Sequence, residues 1–262
     1  GAREDNESLN NLLAELLDCN NFEKVSFLQG NANPGRILVD VVSKTSLLNY
    51  TAYAINPDLM VVLQLRILLL QTIQQDIEFS GIIQPKELIE NQLFDRILTM
   101  PLWRPSSNTM EDFPERTALS KLKVPESKIA DGEWHEILFN LSMLDRNGKM
   151  VTLITNSTLA NNLSVKTRQA LVEKGYIESI IELPDRLLEN TGIELYAVVL
   201  SYGNKGIKFL DASQAYTEQR RRKDIDVPTV LEDLANSDIC RFESIESIAR
   251  EAVSYTHLTL PT

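Results

Sequence analysis

The sequence predicts a doubly wound α/β protein: a mostly parallel sheet covered by helices, with antiparallel strands at one edge. Short apolar runs rich in β-branched and aromatic residues alternate with segments of helical periodicity along most of the chain. Two of these strand-like runs stop at a proline, in Asn56-Pro57 and Met100-Pro101, where ladder hydrogen bonding ends and the chain turns. Two late runs, 195–201 and 207–211, flank Gly203-Asn204-Lys205-Gly206, which reads as a hairpin turn.

The elements follow in order. SLNNLLAELL (8–17) has helical spacing, with Ser8 as a plausible cap. VSFL (25–28) reads as a short strand, GRILVDVVSK (35–44) as a helix, and YTAYAI (50–55) as a strand. Residues 57–71 form a strong helix: Pro57 suits its first turn, and Leu59, Val62, Leu63, Arg66, Ile67 and Leu70 share one face. That helix reads as packed on the sheet rather than as a partner groove. FDRILT (94–99) is the next strand. It runs into Met100-Pro101-Leu102-Trp103 and so presents an aromatic at a strand end, where open α/β sheets bind ligands. Residues 102–130 contain Pro105, Pro114 and Pro125 and read as one long loop, a length found mainly in functional segments. A helix over 133–144, a buried strand MVTLIT (150–155), a helix over 158–173 closed by Gly175, and a strand YIESIIEL (176–183) come next. A helix started by Pro228 (228–234) and then ICRFESIESIAREA follow the two late strands.

The chain has 262 residues, enough for one large domain or one domain with an extension. Its formal net charge of −11 makes it a poor non-specific nucleic-acid binder, so contact with DNA needs a local basic patch or a partner subunit. The basic run Arg220-Arg221-Arg222-Lys223 can grip phosphates or be a solvated turn partly neutralised by Asp224 and Asp226; the turn is the preferred reading. Cys19 and Cys240 have no metal-ligand spacing and make no disulfide framework, which fits idle, buried thiols of a cytoplasmic protein. The longest apolar run, 59–70, includes Gln64 and Arg66 and is too short and too polar to span a bilayer. His135 has no Ser or Cys motif to pair with and reads as a helix-surface residue.

GEWHEILFNLSMLDRNGKMVTLIT, STLANN, KTRQALVEKGYIESIIELPDRLLENTGIELYAVVLS and IKFLDAS follow one another in the later half. In order and spacing, from about 94 to 213, this series resembles the adenine-specific (N6) DNA methyltransferases of type I restriction-modification systems, the modification subunit. Weaker similarity reaches back to Val25. The resemblance implies an S-adenosylmethionine-dependent, Rossmann-like fold with a seven-stranded sheet whose last strand is antiparallel. It implies S-adenosylmethionine as cofactor. It also implies DNA as a partner, together with the specificity and restriction subunits of a type I-like complex or a fused recognition region, and no membrane. The organisation then reads as a helical lead-in (1–20), a methyltransferase-like domain (21–211) and a C-terminal helical extension (212–252). The ending VSYTHLTLPT (253–262) resembles a translated sequencing adapter, and with the start at Gly1 the chain reads as a fragment.

In that family the strand that corresponds to FDRILT runs into Asn-Pro-Pro-Phe or Tyr. The Asn oxygen and the next carbonyl accept from the amine of a flipped adenine, and the aromatic stacks on the base. Here Phe94 and Asp95 match the lead-in, Met100 stands in the Asn position, Pro101 matches, Leu102 replaces the second proline and Trp103 the aromatic. A thioether is only a weak acceptor. Trp103 can stack on a base or fill a collapsed pocket, and the second reading is preferred. The cofactor loop, FLQGNANPGRIL, has Gly30 and Gly35 but neither Gly-x-Gly nor Asp-Pro. Ala54-Ile55-Asn56-Pro57 keeps three residues of the family's Glu-Ile-Asn-Pro but lacks the Glu that binds the ribose hydroxyls. Thr191-Gly192-Ile193 matches a family turn, with Gly192 supplying the bend. Three sites altered together on a matching framework read as a degenerate copy kept as a scaffold or DNA-positioning module. The alternatives are an active adenine methyltransferase with an atypical site, using the Pro101 carbonyl and Trp103, and a protein–protein interaction domain with no DNA role.

Overall fold

The computed structural model describes residues 6–20, 24–31, 37–45, 47–53, 57–73, 77–83, 88, 92–101, 115–124, 132–188, 192–219 and 222–252. Helix α1 (Glu7–Leu17) is capped by Asn6, whose side chain accepts from the Leu9 N–H at 3.1 Å. Ser8, the expected cap, lies inside the helix; its hydroxyl donates to Asn6 Oδ1 and accepts from the Ile225 N–H at 2.7 Å. Strand β1 (Lys24–Gly30), α2 (Ile37–Val42), β2 (Leu47–Tyr53), α3 (Pro57–Ile73), β3 (Ile77–Ile83) and β4 (Phe94–Thr99) build the first half. Helices α4 (Glu115–Leu122) and α5 (Gly132–Leu141) precede the long strand β5 (Leu144–Thr155). Helices α6 (Asn156–Ala160) and α7 (Val165–Glu173) lead to β6 (Ile177–Glu182), β7 (Leu195–Leu200) and β8 (Gly206–Asp211). The ribbon β9 (Tyr216–Gln219) and β10 (Arg222–Ile225), helix α8 (Val227–Ala235), β11 (Arg241–Ser244) and α9 (Ile245–Ala252) complete the described chain.

The main sheet runs β11-β8-β6-β7-β5-β4-β1-β2-β3. Its first seven strands are parallel to one another except β7, which is antiparallel to both β5 and β6. The doubly wound, mostly parallel sheet and its antiparallel seventh strand are therefore as expected. The strand number is not: the sheet has nine strands rather than seven, because β3, which the sequence reading lacks, pairs parallel with β2, and β11 pairs antiparallel with β8 at the other edge.

The expected hairpin between β7 and β8 does not form, because β6 lies between them. The turn residues instead carry the chain across the start of β6, where both the backbone and the side-chain amide of Asn204 donate to the Gly175 carbonyl at 3.0 Å. Within the stretch read as a loop, α4 forms because Ala118, Leu119 and Leu122 bury one face in the core. The 212–252 segment, read as helical, also supplies three strands, one of which closes the sheet edge. The turn at Gly175 is as expected: its φ is +66°, and the Tyr176 N–H reaches back to the Leu171 carbonyl at 2.9 Å.

Alternation along the strands splits the interior into two layers. Phe27, Leu98, Val151 and Leu153 face a core shared with α1, α2, α8 and the Leu63 and Ile67 side of α3. Leu28, Ile97, Met150 and Ile154 face the other core, with α4, α5 and α7. Both cysteines are buried and free. Among the described residues, no helix is long and apolar enough to cross a membrane.

Candidate functional site

The carboxyl ends of β1, β2 and β4 lie side by side in the sheet, and they set Gly30, Tyr53 and Thr99 beside one another. In register, Gly30 pairs with Thr99, and β4 then continues to Met100 and Pro101. Pro101 is buried and Met100 half-buried. Asn31, just past β1, donates its side-chain amide to the Met100 carbonyl at 3.0 Å. This bond ties the cofactor-loop position to the position after β4.

Over Gly30 stands a closed polar cluster that the sequence reading missed. Glu136 and Asn140 lie one turn apart on α5, so they face the same way. Glu136 Oε1 accepts from Thr99 Oγ1 at 2.8 Å and from the Tyr53 hydroxyl at 3.1 Å. Asn140 Nδ2 donates to the Tyr53 oxygen at 2.6 Å and to the Glu136 carbonyl at 2.8 Å. All four side chains are buried. Burial, and then the Glu136 charge, push the Tyr53 hydroxyl well above its ordinary pKa, so it stays a donor. Asn140 Oδ1 is buried without a hydrogen-bond partner among the described residues. The only signal in the sequence was a pair of polar residues four apart, Glu136 and Asn140, among the apolar residues of the helix's second half. Such a pair marks a helix face without saying what the face meets.

Gly30 is the one expected cofactor-site glycine among the described residues. A Cβ there would lie 2.5 Å from the Tyr53 hydroxyl oxygen and 2.9 Å from Asn140 Oδ1. Gln29 and Gly30 end β1. Gln29 Oε1 accepts from Tyr50 at 2.7 Å, and its Nε2 is buried without a partner. The carboxylate in this group, Glu136, is engaged by Thr99 and Tyr53. Residues 32–36 and 54–56, where the family pattern places most of its glycine loop and its ribose carboxylate, lie outside the described residues. Gly35, Ala54, Asn56, Leu102 and Trp103 lie outside the described residues; Pro57 opens α3, as the sequence reading has it.

Of the basic run, Arg220 and Arg221 lie outside the described residues, and Arg222 begins β10. Lys223 is turned inward. Its ammonium bonds Asp185 and sits 3.7 Å from the centre of the Tyr216 ring. Asn6 binds the Leu187 and Lys223 carbonyls, at 2.8 and 3.1 Å, and fastens α1 to the same spot. His135 is buried rather than on the helix surface, because α5 is enclosed along its length. Trp134 Nε1 bonds the Thr158 carbonyl at 3.1 Å and Thr158 Oγ1 bonds Glu133, which pins the start of α5 to α6. At Gly192 a Cβ would meet nothing within 4 Å among the described residues, so space does not require glycine there. Among the described residues, no group of His, Cys, Asp or Glu could hold a metal ion.

The family model for N-6 DNA methylases matches residues 59–239. No curated protein matches the chain. Among solved structures, the chain is similar to the type I restriction-modification methyltransferase subunit from Streptococcus thermophilus. The TM-score is 0.79 at 17% identity, over 96% of this chain and 58% of that one. It is similar to the type I restriction enzyme EcoKI M protein with a TM-score of 0.62 at 10% identity, over 85% of this chain and 51% of that one. For the type IIG restriction endonuclease BpuSI the TM-score is 0.66 at 14% identity, over 96% of this chain and 32% of that one. At these identities the likeness establishes the fold. The chain spans little more than half the length of the first two.

Proposed function

We propose that this chain, which belongs to the N-6 DNA methylase family, keeps the family's fold without its methyl transfer and serves a type I-like restriction-modification assembly as a scaffold or DNA-positioning module. The observation that carries the reading is the tight packing over Gly30, where a Cβ would already meet the Tyr53 hydroxyl and Asn140 Oδ1. One feature just past β4 supports it: Met100 brings a thioether, a weak acceptor, where the family presents an amide oxygen.

A net charge of −11 leaves DNA contact to a local patch or to a partner. With Lys223 committed to Asp185, phosphate contact from the basic run falls to Arg220, Arg221 and Arg222. The partners that fit are a specificity subunit or a fused recognition region, with a restriction subunit beyond it.

Calorimetric titration of the folded chain with S-adenosylmethionine tests the reading, and no detectable heat is expected. Micromolar binding, about −8 kcal/mol, would overturn it. So would transfer of a labelled methyl group to DNA that is lost in Met100→Ala and Trp103→Ala. The DNA role is tested separately, because phosphate contact predicts affinity that falls steeply with salt.

A further inference from the structure

Helix α3 has two apolar faces and only one of them is covered. Leu63 and Ile67 are buried in the core, with Leu70 packed beside them. On the opposite side Val61, Val62, Leu65, Leu68, Leu69 and Ile73 are 47% to 83% exposed. At 3.6 residues per turn these six share one arc of roughly 140°. A helix that is apolar all round belongs in an interior. The spacing Val62, Leu65, Leu69 alternates three and four, the pattern by which one helix seats its side chains into a facing helix. Between residues 61 and 73 the only charge is Arg66, at the margin of the arc.

We infer that this outer face of α3 is a self-association surface, and that its occupant is the same face of a second copy of the chain. Two observations favour a second copy. From Val61 to Ile73 the arc carries no charge, so two acidic chains can meet along that stretch without setting like charges opposite each other, and Asp58, which falls on the same side a turn earlier, lies at the helix end away from the centre. It is also continuous and centred near Leu65, Leu68 and Leu69, so a two-fold axis through that point lays the two helices antiparallel with each stripe facing itself.

The area is sufficient. A fully buried aliphatic side chain hides roughly 60–120 Å² of apolar surface. Six partly exposed ones on each copy therefore hide on the order of 700 Å² for the pair. At an apolar share of about two-thirds, the interface totals roughly 1,100 Å², just above the lower bound of about 1,000 Å² for a specific contact. The expected dimer is therefore a weak one.

Sedimentation equilibrium of the full chain across about 5–200 µM tests this. The average mass is expected to rise toward twice the monomer value. Leu65→Lys/Leu69→Lys should weaken association at least tenfold, and the uncharged Leu65→Gln/Leu69→Gln by less, with circular dichroism and melting unchanged because neither site is in the core. A chain that stays monomeric to the highest concentration overturns the proposal, and assigns the face to a different protein or to further chain of the parent. A dimer that survives both double substitutions also overturns it, since the contact then lies elsewhere.

Discussion

The side-chain amide of Asn31 donates to the backbone carbonyl of Met100 at 3.0 Å, and Asn31 holds a left-handed backbone, φ +49°. The two facts make opposite demands on a replacement. Alanine loses the hydrogen bond and also pays the left-handed penalty, together about 2 kcal/mol. Glycine loses only the bond, about 1 kcal/mol. Urea unfolding of Asn31→Ala and Asn31→Gly should therefore rank glycine as the milder change. The reverse order would mean that the loop after β1 is not held in this conformation.

Gly30 and Tyr53 should be coupled. A Cβ on residue 30 meets the Tyr53 hydroxyl at 2.5 Å, so Gly30→Ala overpacks the site at a cost of about 1–3 kcal/mol. Tyr53→Phe removes the nearest of the atoms it strikes. The double variant should lose at least about 1 kcal/mol less than the two single variants added together. Strict additivity in denaturant titrations would show that the space over Gly30 is open, and would weaken the argument that it is tightly packed.

The outline of the fold was legible because strand alternation and helix periodicity are local signals. The strand runs at 25–28, 50–55, 94–99 and 150–155, the Pro57 helix start and the Gly175 stop all carry their reason within a few residues. What was not legible depends on pairing at a distance. The Gly203–Gly206 turn has good hairpin chemistry, yet β6 enters between β7 and β8, and no local signal announces an inserted strand. The 115–122 helix was hidden by the prolines around it. At the site, Met100 and Pro101 were found through a motif. Asn31, Tyr53, Thr99, Glu136 and Asn140 were not, because they come from β1, β2, β4 and α5 and are adjacent only after folding.

Lys223 and Asp185 give a pH signature. The hydrogen bond to Lys223 holds the Asp185 carboxyl below its ordinary pKa, and the same bond raises Lys223 above its own. The Asp185 contribution is therefore present above about pH 4 and is lost as pH falls further; the Lys223 contribution is present below about pH 10.4 and is lost as pH rises beyond it. Asp185 is half exposed, so screening limits the effect to on the order of 1 kcal/mol. Melting temperatures from pH 3 to 7 should show Asp185→Asn less stable than wild type at pH 7, with the gap closing below pH 4. A constant gap would trace the loss to packing instead of charge.

Glu182 should behave in the opposite sense. It ends β6 in register with Asp211 on β8, and burial, then the Asp211 and Glu194 charges, raise its carboxyl pKa. A carboxyl whose pKa is higher folded than unfolded binds its proton more tightly in the native state. Its ionisation therefore costs stability as pH climbs from about 4.3 through the raised value. Glu182→Gln removes that cost, so the variant should be more stable than wild type at pH 7 by about 0.5 kcal/mol, the usual scale for like charges on facing strands. The two proteins should converge as pH falls below about 4.3, where the wild-type carboxyl takes up its proton in both states. Calorimetric melting at pH 4, 5.5 and 7 reads both the sign and the window. A variant less stable at pH 7 would mean that Glu182 accepts a hydrogen bond worth more than the repulsion it suffers.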